Sequence, residues 1–355
     1  MSLVTVPLTL ASSLSVTITD RDELKLVTLD NGRIRVQLSN IGASILAIHA
    51  PDKADNIDNI VAGFADPEQY RVNKDYFGCT IGRFANRIAG GQFVIKDTLH
   101  KLPVNNGNNH LHGGIQGFSH QVWTLDKTIQ DEQQCGVAFT YHSADGEEGY
   151  PGALEVTVTF ILDNSNKLWI QYEANTTQPT PVNLTNHTYF NLSGFTQPTI
   201  LDHHLWLNAT HYTPKNEHNI SDGTIESVKN SPFDFTHAKK LGTNIHELVT
   251  DQGYDHNFVI TGDKNAYTKA AVLSDDSSGR VVTIYTNKPG IQVYTANSWD
   301  GSVIGTQGLP YEKHGAVALE TQYFPDSPNR QNFPDCILQP GQLYSFTTIF
   351  EFSLL

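Results

Sequence analysis

Basic residues are scarce in this chain of 355 residues. Lysine and arginine together number 23 against 37 aspartates and glutamates, which gives a formal net charge of −14 at pH 7. Nucleic acids and anionic membrane surfaces need a positive protein face to bind. We therefore expect neither of them as a partner, and neutral or cationic small molecules remain open as ligands.

Cysteines and long apolar runs are also rare. Cys79, Cys135 and Cys336 form no C-x-x-C pattern and cannot all pair, so neither a disulfide framework nor a cysteine zinc site is indicated. No apolar run approaches the ~18 residues that a membrane span requires. The first basic residue is Arg21, so residues 1–15 make a poor signal peptide. These features predict a cytoplasmic protein in a reducing compartment.

Several familiar catalytic motifs are missing. The chain has no G-x-G-x-x-G after a predicted strand, no Walker sequence, no G-x-S-x-G and no H-E-x-x-H. Dinucleotide binding, nucleoside triphosphate hydrolysis, serine hydrolysis and zincin chemistry therefore have no support in the sequence.

Polar and apolar residues alternate with a period of two over much of the chain. In residues 154–160 the even positions are apolar and the odd positions polar, and residues 168–174 and 344–352 repeat the pattern. Such alternation indicates half-buried β-strands. The best of the few helix signals is Asp66 before Pro67, a capping residue followed by proline in the first helical turn.

This patterning from end to end, without a polar linker, predicts an all-β fold: one large antiparallel β-sandwich over residues 1–355 with very few short helices. Long loops at 97–120 and 208–256 are rich in His, Asn and Asp. Loops at the end of a rigid β scaffold are where functional sites usually lie.

Two loop segments carry groups that suit a ligand. GRFANR, residues 82–87, places an amide directly before a guanidinium, and together they offer several donors to hydroxyl or carboxylate oxygens. NNGNNHLHGG, residues 105–114, holds two histidines two positions apart, which suits a metal, although Asn and Gly also fit an ordinary turn.

The segment PVNLTNHTYFN, residues 181–191, reads as a strand with one entirely polar face. That face holds Asn183, Thr185, His187, Tyr189 and Asn191. A strand facing solvent normally carries Lys and Glu instead. We therefore expect this face to meet a ligand or water.

The segment AVALETQ, residues 316–322, contains one acidic residue, Glu320. Val317 and Leu319 would pack into the core, whereas Glu320 shares its face with small alanines that leave a hollow around the carboxylate. A buried acid is costly unless it is paired or used. The segments YDHNF (254–258) and GIQVY (290–294) add another carboxylate and another amide.

Six segments in order resemble the motifs of the aldose 1-epimerases, the galactose mutarotase family. They are GRFANRI, NNHLHGG, NLTNHTYFNLSG, YDHNF, IQVYT and ETQYFPDSPN. They run from Gly82 to Asn329 and the flanking strands fit, so the resemblance covers essentially the whole chain. It implies a galactose mutarotase-like supersandwich with a sugar site in an open cleft. The implied activity is a cofactor-free interconversion of the α and β anomers of free aldohexoses such as galactose and glucose.

The resemblance also implies roles for single residues. His187 matches the general acid and Glu320 the general base. The matched substrate-binding residues are Asn86, Arg87, His112, Asp255 and Gln292. No metal or cofactor is implied. We further expect an aromatic ring, Trp299 or Phe324, to stack on the sugar.

The implied reaction removes a proton from the anomeric hydroxyl and delivers one to the ring oxygen, which opens the ring to the free aldehyde. A positioned acid and base each contribute roughly 10²–10⁴-fold to such a step. These roles require Glu320 to be ionised and His187 to be protonated at neutral pH.

Other readings of the same residues remain. A lectin-like binding protein would use the same polar strand without turnover. A metal enzyme would use His110 and His112 with another acid, although catalytic metals generally take three protein ligands. A glycosidase would use two carboxylates, for instance Asp255 and Glu320. A hexose-phosphate epimerase would need extra basic groups near the site. The sequence does not separate a monomer from a homodimer.

Overall fold

The computed structural model describes residues 14–263 and 266–355. The prediction about a signal peptide falls largely on residues 1–13, which lie outside the described residues. Within the described ranges the chain forms 28 β-strands and six short 3₁₀ helices. None of the helices in these ranges has the length and apolar character needed to cross a membrane.

The strands in chain order are β1 (Ser15–Arg21), β2 (Leu24–Asp30), β3 (Arg35–Ser39), β4 (Ser44–Pro51), β5 (Ile57–Asn59), β6 (Thr80–Ile81), β7 (Arg87–Ile88), β8 (Gln92–Ile95), β9 (Thr98–Lys101), β10 (His110–Leu111), β11 (Thr124–Gln130), β12 (Gln134–Ser143), β13 (Leu154–Asp163), β14 (Lys167–Thr176), β15 (Thr180–Pro181), β16 (Thr185–Asn186), β17 (Tyr189–Phe190), β18 (His204–Leu207), β19 (His211–Thr213), β20 (Glu226–Ser227), β21 (Lys239–Lys240), β22 (Asp255–Val259), β23 (Thr268–Ser274), β24 (Arg280–Thr286), β25 (Gly290–Tyr294), β26 (Val317–Gln322), β27 (Ile337–Leu338) and β28 (Tyr344–Leu354). The helices are Pro67–Val72, Ala89–Gly91, Phe118–His120, Glu147–Gly149, Ile245–Glu247 and Ser327–Asn329.

Three sheets contain most of these strands. One has five strands in the order β1-β2-β3-β4-β5. The largest has nine, in the order β11-β12-β13-β14-β28-β24-β23-β18-β21, and the third has six, in the order β17-β26-β25-β22-β19-β20. All strand pairs in these sheets are antiparallel. The predicted all-β antiparallel architecture with few short helices is therefore confirmed.

Alternating burial explains the long strands. In β13, Leu154, Val156 and Val158 are buried while Glu155 is exposed. The inward side chains of all three large sheets join one apolar cluster. Burial of apolar area at about 25 cal/mol per Å² makes this shared core the main stabilising contribution.

The predicted helix start is confirmed. Asp66 precedes the helix Pro67–Val72, and its side chain accepts a hydrogen bond from the backbone N–H of Glu68 at 3.1 Å. This contact satisfies one of the free donors at the start of the helix.

The prediction of one continuous strand over residues 181–191 is wrong. The segment is entirely buried and contains only the two-residue strands β15, β16 and β17. Its amides serve the neighbouring backbone instead of a ligand: Asn183 donates to the carbonyl of Ala85 at 3.1 Å, and Asn191 donates to that of Gly315 at 2.8 Å. Side chains that bond to nearby backbone compete with a regular ladder, so the chain winds through the core as short pieces.

Candidate active site

A cavity of about 350 Å³ lies beside the six-stranded sheet. Its wall includes six of the seven predicted site residues. The lining residues are Lys74, Asp75, Tyr76, Asn86, Arg87, Asn106, Leu111, His112, His187, Tyr189, Asp255, Tyr294, Ser298 and Glu320. The seventh, Gln292, is not on this wall but donates from Nε2 to Asp255 Oδ1 at 2.6 Å. The structure therefore places six of the predicted residues on the cavity wall, and Gln292 contacts one of them, Asp255.

Glu320 and His187 are neighbours at the polar end of this cavity. In β26, Val317 and Leu319 join the main apolar core, as predicted, and Glu320 points the other way. His187 lies between β16 and β17, where its backbone N–H donates to the carbonyl of Cys79 at 2.9 Å. The His187 Nε2 atom is 3.5 Å from Glu320 Oε1. The remaining polar atoms of the pair, Nδ1 and Oε2, are buried and have no hydrogen-bond partner among the described residues.

Burial sets the protonation of this pair. It raises the pKa of Glu320 to about 8, and the negative charge of Asp255 adds to the rise. Burial also lowers the pKa of His187 to about 4. At neutral pH the pair therefore consists of a protonated carboxyl and a neutral imidazole. This corrects the expectation of an ionised Glu320 beside a protonated His187, because the sequence does not reveal how completely both groups are desolvated.

Asp255 is an ionised carboxylate of the site. Although burial raises its pKa, the cations Lys215 and Arg87 outweigh that effect and hold the pKa well below the ordinary value. Lys215 Nζ lies 3.0 Å from Asp255 Oδ2. With Gln292 on the other oxygen, the carboxylate is held at both ends.

His112 is a neutral imidazole with a defined tautomer. Its Nδ1 accepts a hydrogen bond from the backbone N–H of Asn86 at 3.1 Å, so the ring proton resides on Nε2. Burial and the neighbouring His187 lower the pKa of His112 well below its usual value. The two imidazole centroids are 5.3 Å apart. His112 therefore offers one N–H donor beside the reacting pair.

Gly113 explains how this histidine is placed. It has a φ of +83°, and a Cβ there would lie 1.7 Å from the carbonyl oxygen of Gly82. Only glycine permits this contact between the LHGG and GRFANR segments. Asn86 and His112 themselves have positive φ values of 63° and 51°. Such backbone strain is concentrated at functional sites.

Two residues in the predicted motifs, Arg83 and His110, bond to neighbouring segments and do not line the cavity. The buried guanidinium of Arg83 donates to Ser143 Oγ at 2.6 Å and to the carbonyl of Gly152 at 2.8 Å. Both ring nitrogens of His110 are engaged, one by the carbonyl of Pro103 and one by the Tyr150 hydroxyl, each at 2.7 Å.

The alternative metal site on His110 and His112 is therefore wrong. Instead, His112, His187 and Glu320 each place one polar atom within 4.8 Å of the others. These three side chains form the polar centre of the cavity.

The aromatic rings that line the cavity are not the predicted ones. Trp299 packs against Tyr311 at 5.1 Å between ring centroids, Phe324 packs against Phe333 at 5.2 Å, and neither lines the cavity. One or the other of these rings was expected on the sugar, and both are used in packing instead. The rings that do line the cavity are Tyr76, Tyr189 and Tyr294.

Lys215 was also missed, although a signal for it exists. It is the only Lys or Arg between Lys167 and Lys229. A single cation in a long acidic and amide-rich stretch is a candidate partner for a buried carboxylate.

Comparison with known proteins places the chain in a family. The family model described as aldose 1-epimerase matches residues 25–351. Galactose mutarotase from Bos taurus is 41% identical over 326 residues, which cover 92% of this chain and 93% of the relative. Aldose 1-epimerase from Escherichia coli (strain K12) is 34% identical over 343 residues, which cover 94% of this chain and 96% of the relative.

Solved structures show the same fold. Galactose 1-epimerase from Lactobacillus acidophilus NCFM superimposes with a TM-score of 0.84 at 28% identity, covering 96% of this chain and 99% of that protein. An aldose epimerase homologue from C. elegans gives a TM-score of 0.84 at 26% identity, covering 97% of this chain and all of that one. Sequence and structure thus agree that the chain belongs to the aldose 1-epimerase family.

Proposed function

We propose that this protein interconverts the α and β anomers of free aldohexoses such as galactose and glucose. The observation that carries the proposal is the buried pair of Glu320 and His187, 3.5 Å apart on a cavity wall with hydroxyl-binding groups around it. The names of the relatives, galactose mutarotase and aldose 1-epimerase, support the same reaction.

Glu320 acts as the general base and His187 as the general acid in ring opening. The anomeric hydroxyl and the ring oxygen are bonded to one carbon, so neighbouring side chains reach both. A sugar hydroxyl that donates a hydrogen bond to Glu320 favours the ionised form of its carboxyl group. The carboxyl proton then moves to His187, and the resulting carboxylate stabilises the imidazolium. Glu320 then takes the hydroxyl proton while His187 protonates the ring oxygen.

Ring opening returns the pair to a protonated carboxyl and a neutral imidazole. Rotation about the bond next to the aldehyde exposes its other face. Glu320 now returns its proton to the aldehyde oxygen while His187 accepts the proton of the attacking hydroxyl, which closes the other anomer. The resting protonation of the pair is thus the one that closes the ring, and one shared proton serves both directions.

The other site residues hold the sugar. We propose that Asn86, Arg87, His112 and Asp255 bind its hydroxyls, and that Gln292 assists through its hydrogen bond to Asp255. The reaction as written uses no metal or cofactor, so we expect turnover to continue in the presence of a chelator.

We also propose a cytoplasmic enzyme without nucleic-acid or membrane partners, acting as a monomer or homodimer with residues 1–355 as one domain. The net charge of −14 supports a neutral substrate. The three cysteines are buried and unpaired, which suits a reducing compartment. The apolar cluster that joins the sheets supports a single domain.

Polarimetry on freshly dissolved α-galactose tests the function directly. The wild-type protein should accelerate the decay of optical rotation, whereas Glu320→Gln and His187→Asn should each lose about 10²-fold or more of kcat. Both variants should still bind the sugar in calorimetry. Sugar binding without any turnover by the wild type would instead indicate a non-catalytic carbohydrate-binding protein.

A further inference from the structure

We propose that Lys215 is a positioning residue for this reaction, fixing the Asp255 carboxylate from outside the wall of the sugar cavity. The inference rests on the proposed function and adds a residue outside the six family motifs. Asp255 lines the cavity and Lys215 does not. Lys215 instead borders an adjoining void of about 10 Å³ that Asp255 also lines, which is too small to hold a sugar. Any effect of the lysine on the sugar therefore passes through Asp255.

The ammonium group of Lys215 is fully engaged. Nζ lies 2.6 Å from Asn219 Oδ1, 3.0 Å from Asp251 Oδ1 and 3.0 Å from Asp255 Oδ2. An ammonium has three N–H donors, so each acceptor takes one. The side chain is only 10% exposed, which makes these contacts far less screened than those of a surface pair.

The loop that carries Lys215 is anchored independently. It follows β19, and Asn216 Oδ1 accepts from the backbone N–H groups of His218 at 2.9 Å and Ile220 at 3.1 Å. Asn109, from the segment that also carries His112, donates to the carbonyl of His218 at 3.0 Å. The lysine is thus tied to the wall of the cavity.

Asp255 needs this partner because it is buried among many charged and polar groups. Those that act on it, or that its charge affects, are Lys215, Arg87, His256, His112, His187, Tyr294 and Glu320. Without Lys215 the carboxylate would keep Arg87 and the hydrogen bond from Gln292, but a buried carboxylate that has lost a cation takes up a proton more readily. Loss of the lysine would therefore convert a fixed acceptor of sugar hydroxyls into a group that titrates.

The test compares Lys215→Gln, which keeps a hydrogen-bond donor without the charge, with Lys215→Arg, which keeps the charge. KM and kcat for galactose are measured by polarimetry from pH 5.5 to 8.5, as ratios to the wild type. For Lys215→Gln we expect KM at pH 5.5 to be about tenfold higher than that of the wild type. The ratio should fall as pH rises, because Asp255 ionises again. For Lys215→Arg we expect a ratio close to one at every pH.

Lys240→Gln is the matched control. This lysine pairs with Asp202 at 2.8 Å on another sheet and is half exposed, so its KM ratio should stay at one. A KM ratio for Lys215→Gln that is below twofold and independent of pH would overturn the role of Lys215. Absence of turnover by the wild type would instead overturn the proposed function itself.

A second comparison applies even when Lys215→Gln does not fold. The double variant Lys215→Gln with Asp255→Asn removes both charges of this pair, which avoids an unpaired carboxylate on the cavity wall. Asp251 loses its contact with the lysine and keeps His256 Nε2 at 3.6 Å. Because Lys215 acts only through Asp255, the double variant should have the same KM as Asp255→Asn alone. A further rise in KM in the double variant would contradict the proposal.

Discussion

Glu320 lies in surroundings that disfavour its negative charge. Its pKa is raised from 4.5 to about 8 in the folded protein because the group is buried next to Asp255. The folded state therefore binds this proton more tightly than the unfolded state does. Stability from this group is complete below the unfolded pKa and is lost as pH rises through about 8.

Glu320→Gln should consequently be more stable than the wild type in alkaline solution. Glutamine mimics the protonated carboxyl and cannot ionise, so the difference in Tm should be small near pH 5 and reach several degrees near pH 9. Thermal unfolding followed by circular dichroism at both pH values measures it. Glu173→Gln, at an exposed position of β14, is the control and should show no such trend. Equal Tm differences at both pH values would argue against a buried proton on Glu320.

The sequence predicts the identity of the site residues better than their state. Asn86, His112 and Glu320 lie in segments that resemble the motifs of the aldose 1-epimerases, so the sequence identifies them as candidates. The protonation of Glu320 and the contribution of Lys215 depend on burial and on contacts between distant segments. Such quantities follow from the three-dimensional packing, and no local pattern encodes them.

At the scale of elements, the site depends on two loops that touch through backbone. The segment 105–114 meets the segment 82–87 where Gly113 contacts the carbonyl of Gly82. This contact fixes His112, whose Nδ1 bonds to Asn86. A change at Gly113 therefore affects the placement of His112 without altering any side chain on the cavity wall.

Gly113→Ala should destabilise the protein by at least about 2 kcal/mol, because its Cβ overlaps backbone and one of the two loops must move. Gly107→Ala is the matched control, since Gly107 also has a positive φ of +59° but has no atom within 4 Å of an added Cβ. That change should cost about 1 kcal/mol from backbone strain alone. Urea unfolding and polarimetry compare the two, and equal losses in both would show that the contact is unimportant.

The long strands are predictable because one face of each is buried and the other is not. The alternation in 154–160 and 344–352 reports this directly, and β13 and β28 lie there. Residues 181–191 also alternate, but both faces are buried and the amides bond to backbone. A period of two then no longer distinguishes a strand from irregular chain.

At the scale of the whole molecule, the charge of −14 matters for which substrates approach. A neutral sugar is not steered by the field of the protein, whereas a hexose phosphate would be repelled at low salt. We predict that kcat/KM for galactose changes less than about twofold between roughly 0.01 and 1 M NaCl, a range that shortens the Debye length from about 30 to 3 Å. A steep dependence on salt in polarimetric assays of galactose would contradict this prediction and show that ionic strength acts on the charged groups of the protein.

The central claim is that Glu320 and His187 share one proton, and the pH dependence of kcat/KM for galactose tests it most directly. After subtraction of the uncatalysed rate, the profile should be bell-shaped. Activity should fall below about pH 4, where His187 becomes protonated while Glu320 is still protonated. It should also fall above about pH 8, where Glu320 loses the shared proton. A wild-type profile that stays flat through both limits would contradict the account.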